Sequence, residues 1–267
     1  MRIITWNMDH WKHKRVHDDA WQWIIDTLDP DIALLQECVP PAWAYENRTV
    51  LFNRVYPESR QKWGTAIMTK LTASRTTIPE VDDWLSKLPR NIPGTDKQSW
   101  IYQLKGWCEC AQIRFIPDET TLVISVYSSA YHIERELLKN IDISGIKLKL
   151  NPDLWLLDVI FYYLKNYLDR RILVGGDFNY SRLLDPPDRP RGNNEFFDRI
   201  KNEGFVSLHR LFHDNDERTF FQAKRKPLQL DYLYTDAVLA KRVSRCDVVP
   251  YSEVERFSDH APLIAEI

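Results

Sequence analysis

Several protein classes are excluded by what this chain lacks. It has no net basic field: 36 Lys and Arg against 38 Asp and Glu leave a formal charge of −2. An anionic ligand must therefore be held by a local cluster rather than drawn in by the whole surface. Cysteines are few and scattered. Cys38, Cys108, Cys110 and Cys246 give no zinc-knuckle spacing, so free buried thiols in a reducing compartment are expected. No apolar run reaches the ~18 residues of a membrane span; the most apolar window, Leu154 to Leu164, is interrupted by Asp158. The opening Met1-Arg2-Ile3-Ile4-Thr5-Trp6 reads as a strand rather than a secretory signal, which predicts a soluble cytoplasmic protein. Internal repeats, linkers and low-complexity runs are also missing, so one domain over residues 1–267 is expected.

What is present is a core: 44% apolar residues with 10 Trp, 12 Tyr and 11 Phe rule against disorder. Short apolar runs predict about ten strands: 2–6, 31–36, 63–69, 106–116, 120–127, 171–174, 218–221, 230–235, 246–249 and 262–267. A Pro117-Asp118-Glu119 turn makes a hairpin of the fourth and fifth. Helical spacing of Trp21, Ile24, Ile25 and Leu28, stopped by Pro30, predicts one helix. Others are expected around 133–139, over 152–168 with Asn151 as cap and Pro152 in its first turn, over 194–202, and over 236–242. The 152–168 helix is apolar nearly all round and should be buried between layers. Residues 71–105 show no sustained period. Such a mixture suits two packed sheets flanked by helices.

Ile172-Leu173-Val174 reads as a buried strand, and Gly175-Gly176 predicts a sharp turn after it. Asp177 and Asn179 then stand just past a strand end, where loops carry function on a rigid scaffold. Gly-Gly-Asp with a nearby Asn is also the composition of an ordinary turn. Other strands end in polar groups too: Asn7 with Asp9, Glu37, and Tyr127. Asp231 is another such group, and Ser258-Asp259-His260 precedes the last strand. Glu37, Asp9 and Asp259 are hard oxygen donors that suit Mg²⁺ or Mn²⁺. Asp177 and Asn179 suit the orientation of a water, and His260 beside Asp231 would be biased towards the imidazolium. A held cation facing a water-activating carboxylate is equipment for in-line attack on phosphorus.

Thr5-Trp6-Asn7, Leu35-Gln36-Glu37, Gly176-Asp177-Phe178-Asn179, Leu230-Asp231-Tyr232 and Ser258-Asp259-His260, in that order, resemble the endonuclease/exonuclease/phosphatase superfamily. The resemblance spans essentially the whole chain. It implies a DNase I-like, four-layered α/β sandwich with two mixed β-sheets. It also implies that Glu37 binds the metal, assisted by Asn7 and Asp259. Asp177 would align or deprotonate the attacking water, Asn179 would hold that water or a phosphate oxygen, and His260, supported by Asp231, would stabilise the transition-state charge. The base is Asp177 or His260. Trp6-Asn7-Met8-Asp9 looks like the AP-endonuclease pattern, in which that aspartate joins the metal shell, and Tyr127 falls where those enzymes have a catalytic tyrosine. Ser125 and Ala130 replace the asparagines that flank that tyrosine.

A nuclease cutting DNA or RNA is the first expectation, with a phosphatase of a small phosphorylated metabolite or lipid head group as the alternative. A catalytically silent binding module is the third. Lys224, Arg225 and Lys226, with Arg182, Arg189 and Arg191, are candidates for tracking a nucleic-acid backbone, and Trp84 or Trp100 for stacking on bases.

Overall fold

The computed structural model describes residues 1–54, 62–89, 91–96, 108–116, 119–128, 132–146, 154–185, 192–222 and 227–267. The alternation along β1 (Arg2–Asn7) shows why two sheets form. Ile3 packs with Leu34, Leu173 and Leu263 in the layer between the sheets, whereas Ile4 and Trp6 face the other way, into a cluster with Trp21 and Phe257. A strand apolar on both faces needs cover on both.

The first sheet has the order β11-β12-β1-β2-β4-β3, with β2 (Ile32–Cys38), β3 (Thr49–Arg54), β4 (Gly64–Thr69), β11 (Arg245–Val248) and β12 (Leu263–Glu266). The second has the order β5-β6-β7-β8-β10-β9. Its members are β5 (Ala73–Thr76), β6 (Cys108–Ile116), β7 (Glu119–Tyr127), β8 (Arg171–Asp177), β9 (Val206–Ser207) and β10 (Asp231–Thr235). Each sheet holds one parallel pair, β1 with β2 and β7 with β8, and both strands of a parallel pair end at the same edge. Their antiparallel neighbours β12 and β10 begin at that edge. Six chain segments therefore deliver their polar ends to one rim of the sandwich.

Helices complete the four expected layers. His17–Trp23, continued by a π-helical turn Ile24–Leu28, and Tyr251–Val254 cover the first sheet. Pro79–Ser86, Trp155–Leu164 and Asn193–Asn202 cover the second. Trp155–Leu164 is buried nearly throughout, as its all-round apolar sequence requires; its one charge, Asp158, pairs with Arg199. No helix among the described residues is long and apolar enough to cross a membrane.

Several details differ from expectation. Gly175-Gly176 is no turn: both lie inside β8, in register with Leu233 and Tyr232 of β10. A Cβ on Gly176 would stand 1.8 Å from the Val126 carbonyl oxygen, and its φ of 153° suits glycine alone; a Cβ on Gly175 would meet Leu233 at 2.5 Å. Close backbone approach demands these glycines. Among the described residues twelve strands form rather than about ten, because β3, β5 and the two-residue β9 are too short or too weakly periodic to stand out. Residues 218–221 make no strand, only isolated bridges from Phe220 to Leu228 and His260. The 71–105 region contains β5 and the helix carrying Trp84, which is 2% exposed and stacks on Trp155, so it is core and not a base platform. Trp100, Pro117-Asp118 and Asn151-Pro152 lie outside the described residues.

One buried imidazole fastens helix His17–Trp23 to the end of β2. His17 Nε2 accepts the backbone N–H of Val39 at 2.9 Å and the Trp21 indole N–H at 3.1 Å. Burial, reinforced by the His10 ring 4.3 Å away, pushes His17 down to about 3. The folded state thus binds fewer protons at this site than the unfolded chain does. Its contribution is full above the unfolded value near 6.5 and is lost as pH falls towards 3. Between pH 7 and pH 5 this costs about 2 kcal/mol of stability. Urea unfolding at the two pH values should show that loss in the wild type, and a smaller one, by about that amount, in His17→Phe.

Candidate active site

The first sheet supplies the carboxylates. β2 breaks register with β4 between Leu35 and Cys38, and the bulge turns Glu37 into the left-handed region at φ 44°. Bulges beside sites re-aim side chains in this way. Asp9, just past β1, has φ 41°, and Asn179, just past β8, has φ 56°. Of the four non-glycine residues with positive φ among those described, these are three. Left-handed backbone costs a non-glycine residue on the order of 1 kcal/mol, so its concentration here marks a site whose aim outweighs local comfort.

Asn7 joins the two sheets. Its Nδ2 donates to Glu37 Oε1 at 3.1 Å and to Asp177 Oδ2 at 2.8 Å, while its Oδ1 accepts the Asp9 backbone N–H at 2.9 Å. The Tyr127 phenol also bonds the Glu37 carboxylate. Burial first, and then Asp9 nearby, raise Glu37 above the usual carboxylate range; burial and Asp259 do the same to Asp9. Lys12 answers part of this charge, its Nζ lying 2.7 Å from Asp259 and 3.2 Å from Asp9, with His13 Nδ1 3.1 Å from the same Asp9 oxygen. Glu37, Asp9 and Asp259 thus gather three carboxylates at this mouth, with the Lys12 ammonium between Asp9 and Asp259; at this rim the donor atoms that converge within 4.8 Å of one another, among the described residues, are those of Asp177, Asp231 and His260.

The second sheet supplies the polar row Tyr127, Asp177 and Asp231, which stand opposite one another on β7, β8 and β10. Asp177 is buried and accepts three hydrogen bonds: from Asn7, from the Asn179 backbone at 2.7 Å and from Asn179 Nδ2 at 3.2 Å. Asn179 is itself held by the Ser128 carbonyl at 2.7 Å. His260 enters between the sheets, its Nδ1 donating to Asp231 at 2.8 Å and its Nε2 3.9 Å from both Asp177 and Asp259. Burial opposes charge on that ring, but Asp231 and Asp177 override it and raise His260 to about 10; burial in turn raises Asp177 to about 7 against the pull of His260. The ring is thus a held cation between carboxylates.

Its backbone is anchored as firmly. Ser258 Oγ accepts the His260 N–H and donates to the Asn7 carbonyl at 2.7 Å, and the Trp6 indole donates to the His260 carbonyl at 2.8 Å. Thr219 Oγ1 accepts the N–H groups of Leu230 and Asp231, and Phe220 packs its ring 4.9 Å from His260.

All nine expected catalytic and metal-binding residues thus meet at one rim. Of the expected substrate contacts, Arg182 pairs with Asp198 at 2.8 Å and lies over Phe197; Lys224, Arg225, Lys226, Arg189 and Arg191 fall outside the described residues. Sequence reading passed over the run His10-Trp11-Lys12-His13-Lys14-Arg15, although its charge was plain. Trp11 is 54% exposed with Lys14 Nζ 5.2 Å over its ring. It also passed over Phe221, whose backbone N–H bonds the Asp259 carbonyl at 2.7 Å. Phe221 stacks on Tyr251 at 3.9 Å, and the Arg218 guanidinium lies over its ring at 4.4 Å.

A family model described as the Endonuclease/Exonuclease/phosphatase family matches residues 4–260. No curated protein sequence matches the chain significantly. Among solved structures, an AP endonuclease from Archaeoglobus fulgidus is similar with a TM-score of 0.67 at 18% identity, over 100% of this chain and 99% of that one. The APE2 catalytic domain of Xenopus laevis gives 0.67 at 18%, over 100% and 91%. A 3′ phosphatase from Neisseria, bound to a product DNA hairpin, gives 0.63 at 17%, over 100% and 99%. At such identities these likenesses establish the fold, DNase I-like, while the family model covers nearly the whole chain and both sheets' contributions to the site. The chain belongs to the endonuclease/exonuclease/phosphatase family of phosphoester-hydrolysing enzymes.

Proposed function

We propose that the protein is a divalent-metal-dependent phosphodiesterase that hydrolyses nucleic acid by in-line attack of water. The observation that carries the reading is the placement of His260, its Nδ1 2.8 Å from Asp231 and its Nε2 3.9 Å from both Asp177 and Asp259. Glu37, Asp9 and Asp259 would hold the cation, with Asn7 fixing the direction of Glu37. When bound, the cation supplies positive charge to the phosphate oxygens.

Asp177 takes the proton of the attacking water as the water oxygen bonds phosphorus; the P–O ester bond in line with it breaks, and the leaving alkoxide takes a proton from solvent. A carboxylate raised to about 7 is matched to that task near neutral pH. Asn7 and Asn179 keep its oxygens aimed. His260, kept protonated by Asp231, offers Nε2–H to the phosphoryl oxygen on which charge accumulates. Asp231 positions that ring and touches no reacting atom. Tyr127 steadies Glu37 from the opposite sheet.

Nucleic acid is favoured over a small phosphomonoester by the rim. Two cation-on-aromatic pairs, Lys14 on Trp11 and Arg218 on Phe221, adjoin the carboxylate ligands Asp9 and Asp259. Of the two rings Trp11 is exposed, and an exposed ring beside a cation suits a stacked base and its phosphate; Phe221 is half-buried against Tyr251 and leaves Arg218 as the phosphate contact. The DNA-bound state of the similar Neisseria phosphatase supports the same reading.

Asp177→Ala and His260→Ala should each lower kcat by roughly 10²- to 10⁴-fold with the fold intact; full turnover of plasmid or oligonucleotide by either variant would remove the assignment. EDTA should abolish cleavage, with Mg²⁺ or Mn²⁺ restoring it in the wild type and not in Asp177→Ala; cleavage that persists in chelator contradicts the carboxylate centre. Replacing Lys14, Arg15 and Arg218 by Ala should flatten the salt dependence of DNA or RNA binding by about 2 to 3 in log–log slope. It should affect hydrolysis of bis-p-nitrophenyl phosphate much less. Equal losses on both substrates would favour a small-ester phosphatase.

A further inference from the structure

Outside the catalytic rim, a second cluster has the composition of a metal site. His209 opens a 3₁₀ turn, His209–Leu211, directly after β9; His213 follows it, and Glu217 stands on the segment leading towards Thr219. One imidazole nitrogen of each histidine and a carboxylate oxygen of Glu217 lie within 4.8 Å of one another. The two rings are stacked at 4.3 Å, and His209 Nε2 is 3.3 Å from Glu217 Oε2.

The surroundings of both rings point the same way. His213 Nε2 lies 2.9 Å from the Cys246 carbonyl oxygen and 2.9 Å from Asp247 Oδ1. A carbonyl can only accept, so Nε2 carries the hydrogen and Nδ1 is left as a lone-pair nitrogen. Metal-bound histidines are fixed in this manner, by donating their other N–H to a carbonyl or carboxylate. His209 is 1% exposed, and its Nδ1 is buried with no hydrogen-bond partner among the described residues. The nitrogen of His209 that faces Glu217 is thus Nε2, the one turned towards the cluster.

We infer that His209, His213 and Glu217 form a transition-metal site, best suited to Zn²⁺, separate from the catalytic carboxylates. Two imidazoles and one carboxylate are a zinc donor set, with a fourth position left for water. Imidazole donors also select against Mg²⁺, which prefers oxygen. The site's place in the fold gives it a purpose. The 3₁₀ turn continues β9, the edge of the second sheet, while the carbonyl and carboxylate that orient His213 belong to β11, the edge of the first. A bound ion would clamp the two edge strands across the seam of the sandwich. It would also fix the segment in which Glu217 bonds Gln229, two residues before Asp231.

The test uses untagged full-length protein, freed of metal by chelator and then titrated with Co²⁺ under excess Mg²⁺, with visible absorption reporting Co²⁺ on nitrogen ligands. Wild type and Glu37→Ala should each bind one equivalent, displaced by Zn²⁺, and His213→Ala and Glu217→Ala should lose it. Glu217 is half exposed, so its variant should keep the metal-free unfolding midpoint of the wild type. Zn²⁺ at a hundredfold excess over Kd should raise the midpoint of wild type and Glu37→Ala by about 5 °C, and should not raise that of Glu217→Ala. No Co²⁺ equivalent in Glu37→Ala, or undiminished binding in both Glu217→Ala and His213→Ala, overturns the site. Because the Glu37→Ala background lacks the catalytic centre, either result is read independently of whether the protein cuts nucleic acid.

Discussion

A single carboxamide nitrogen, Asn7 Nδ2, ties the two sheets together where it matters. It reaches Glu37 on its own sheet and Asp177 on the other, so one planar group bridges the polar ends of the two sheets, seconded by Tyr127 on Glu37 and His260 on Asp231. The rest of the rim leans on the same strand end. Ser258 hangs from the Asn7 carbonyl and holds His260, and the Trp6 indole holds the carbonyl of that histidine. Asp9 takes its position from the Asn7 side-chain oxygen. A strand buried on both faces and paired on both edges is a stiff post for so many attachments.

The electrostatics follow from that assembly. Acidic groups crowd the rim, and burial multiplies their mutual repulsion. The protein answers with two internal cations of different kinds: a histidine sealed between carboxylates, and a half-exposed lysine at the mouth. Near-neutral overall charge is compatible with an anionic polymer as substrate, because basic groups such as the short run after Asp9 are gathered locally. Net charge reports on long-range steering and is silent about such local arrangements.

Much of this was readable from the amino-acid order. Asn7, Glu37, Asp177 and Asp231 sit at the ends of short apolar runs, and a period-two strand declares both its burial and its terminus. The order of those runs carried the resemblance, and with it the layered fold. What stayed hidden depends on tertiary neighbours. Gly175 and Gly176 look like a turn because nothing local reveals that Val126 and Leu233 will press against them. Trp84 looks available until Trp155 stacks on it. β5 and β9 exist because an adjacent strand offers a ladder, which no propensity of four or two residues announces. Lys12 carries no local signal of its role, since its partners Asp9 and Asp259 are 3 and 247 positions away.

The left-handed backbone at Glu37 has a consequence for how the protein responds to random change. A glycine there relieves the strained dihedral and removes a carboxylate from a crowded acidic rim, and both effects favour the folded state. Against them stand the hydrogen bonds that Asn7 and Tyr127 give the carboxylate, which a glycine would leave unpaired. Site 37 is a place where backbone comfort and the polar network pull in opposite directions.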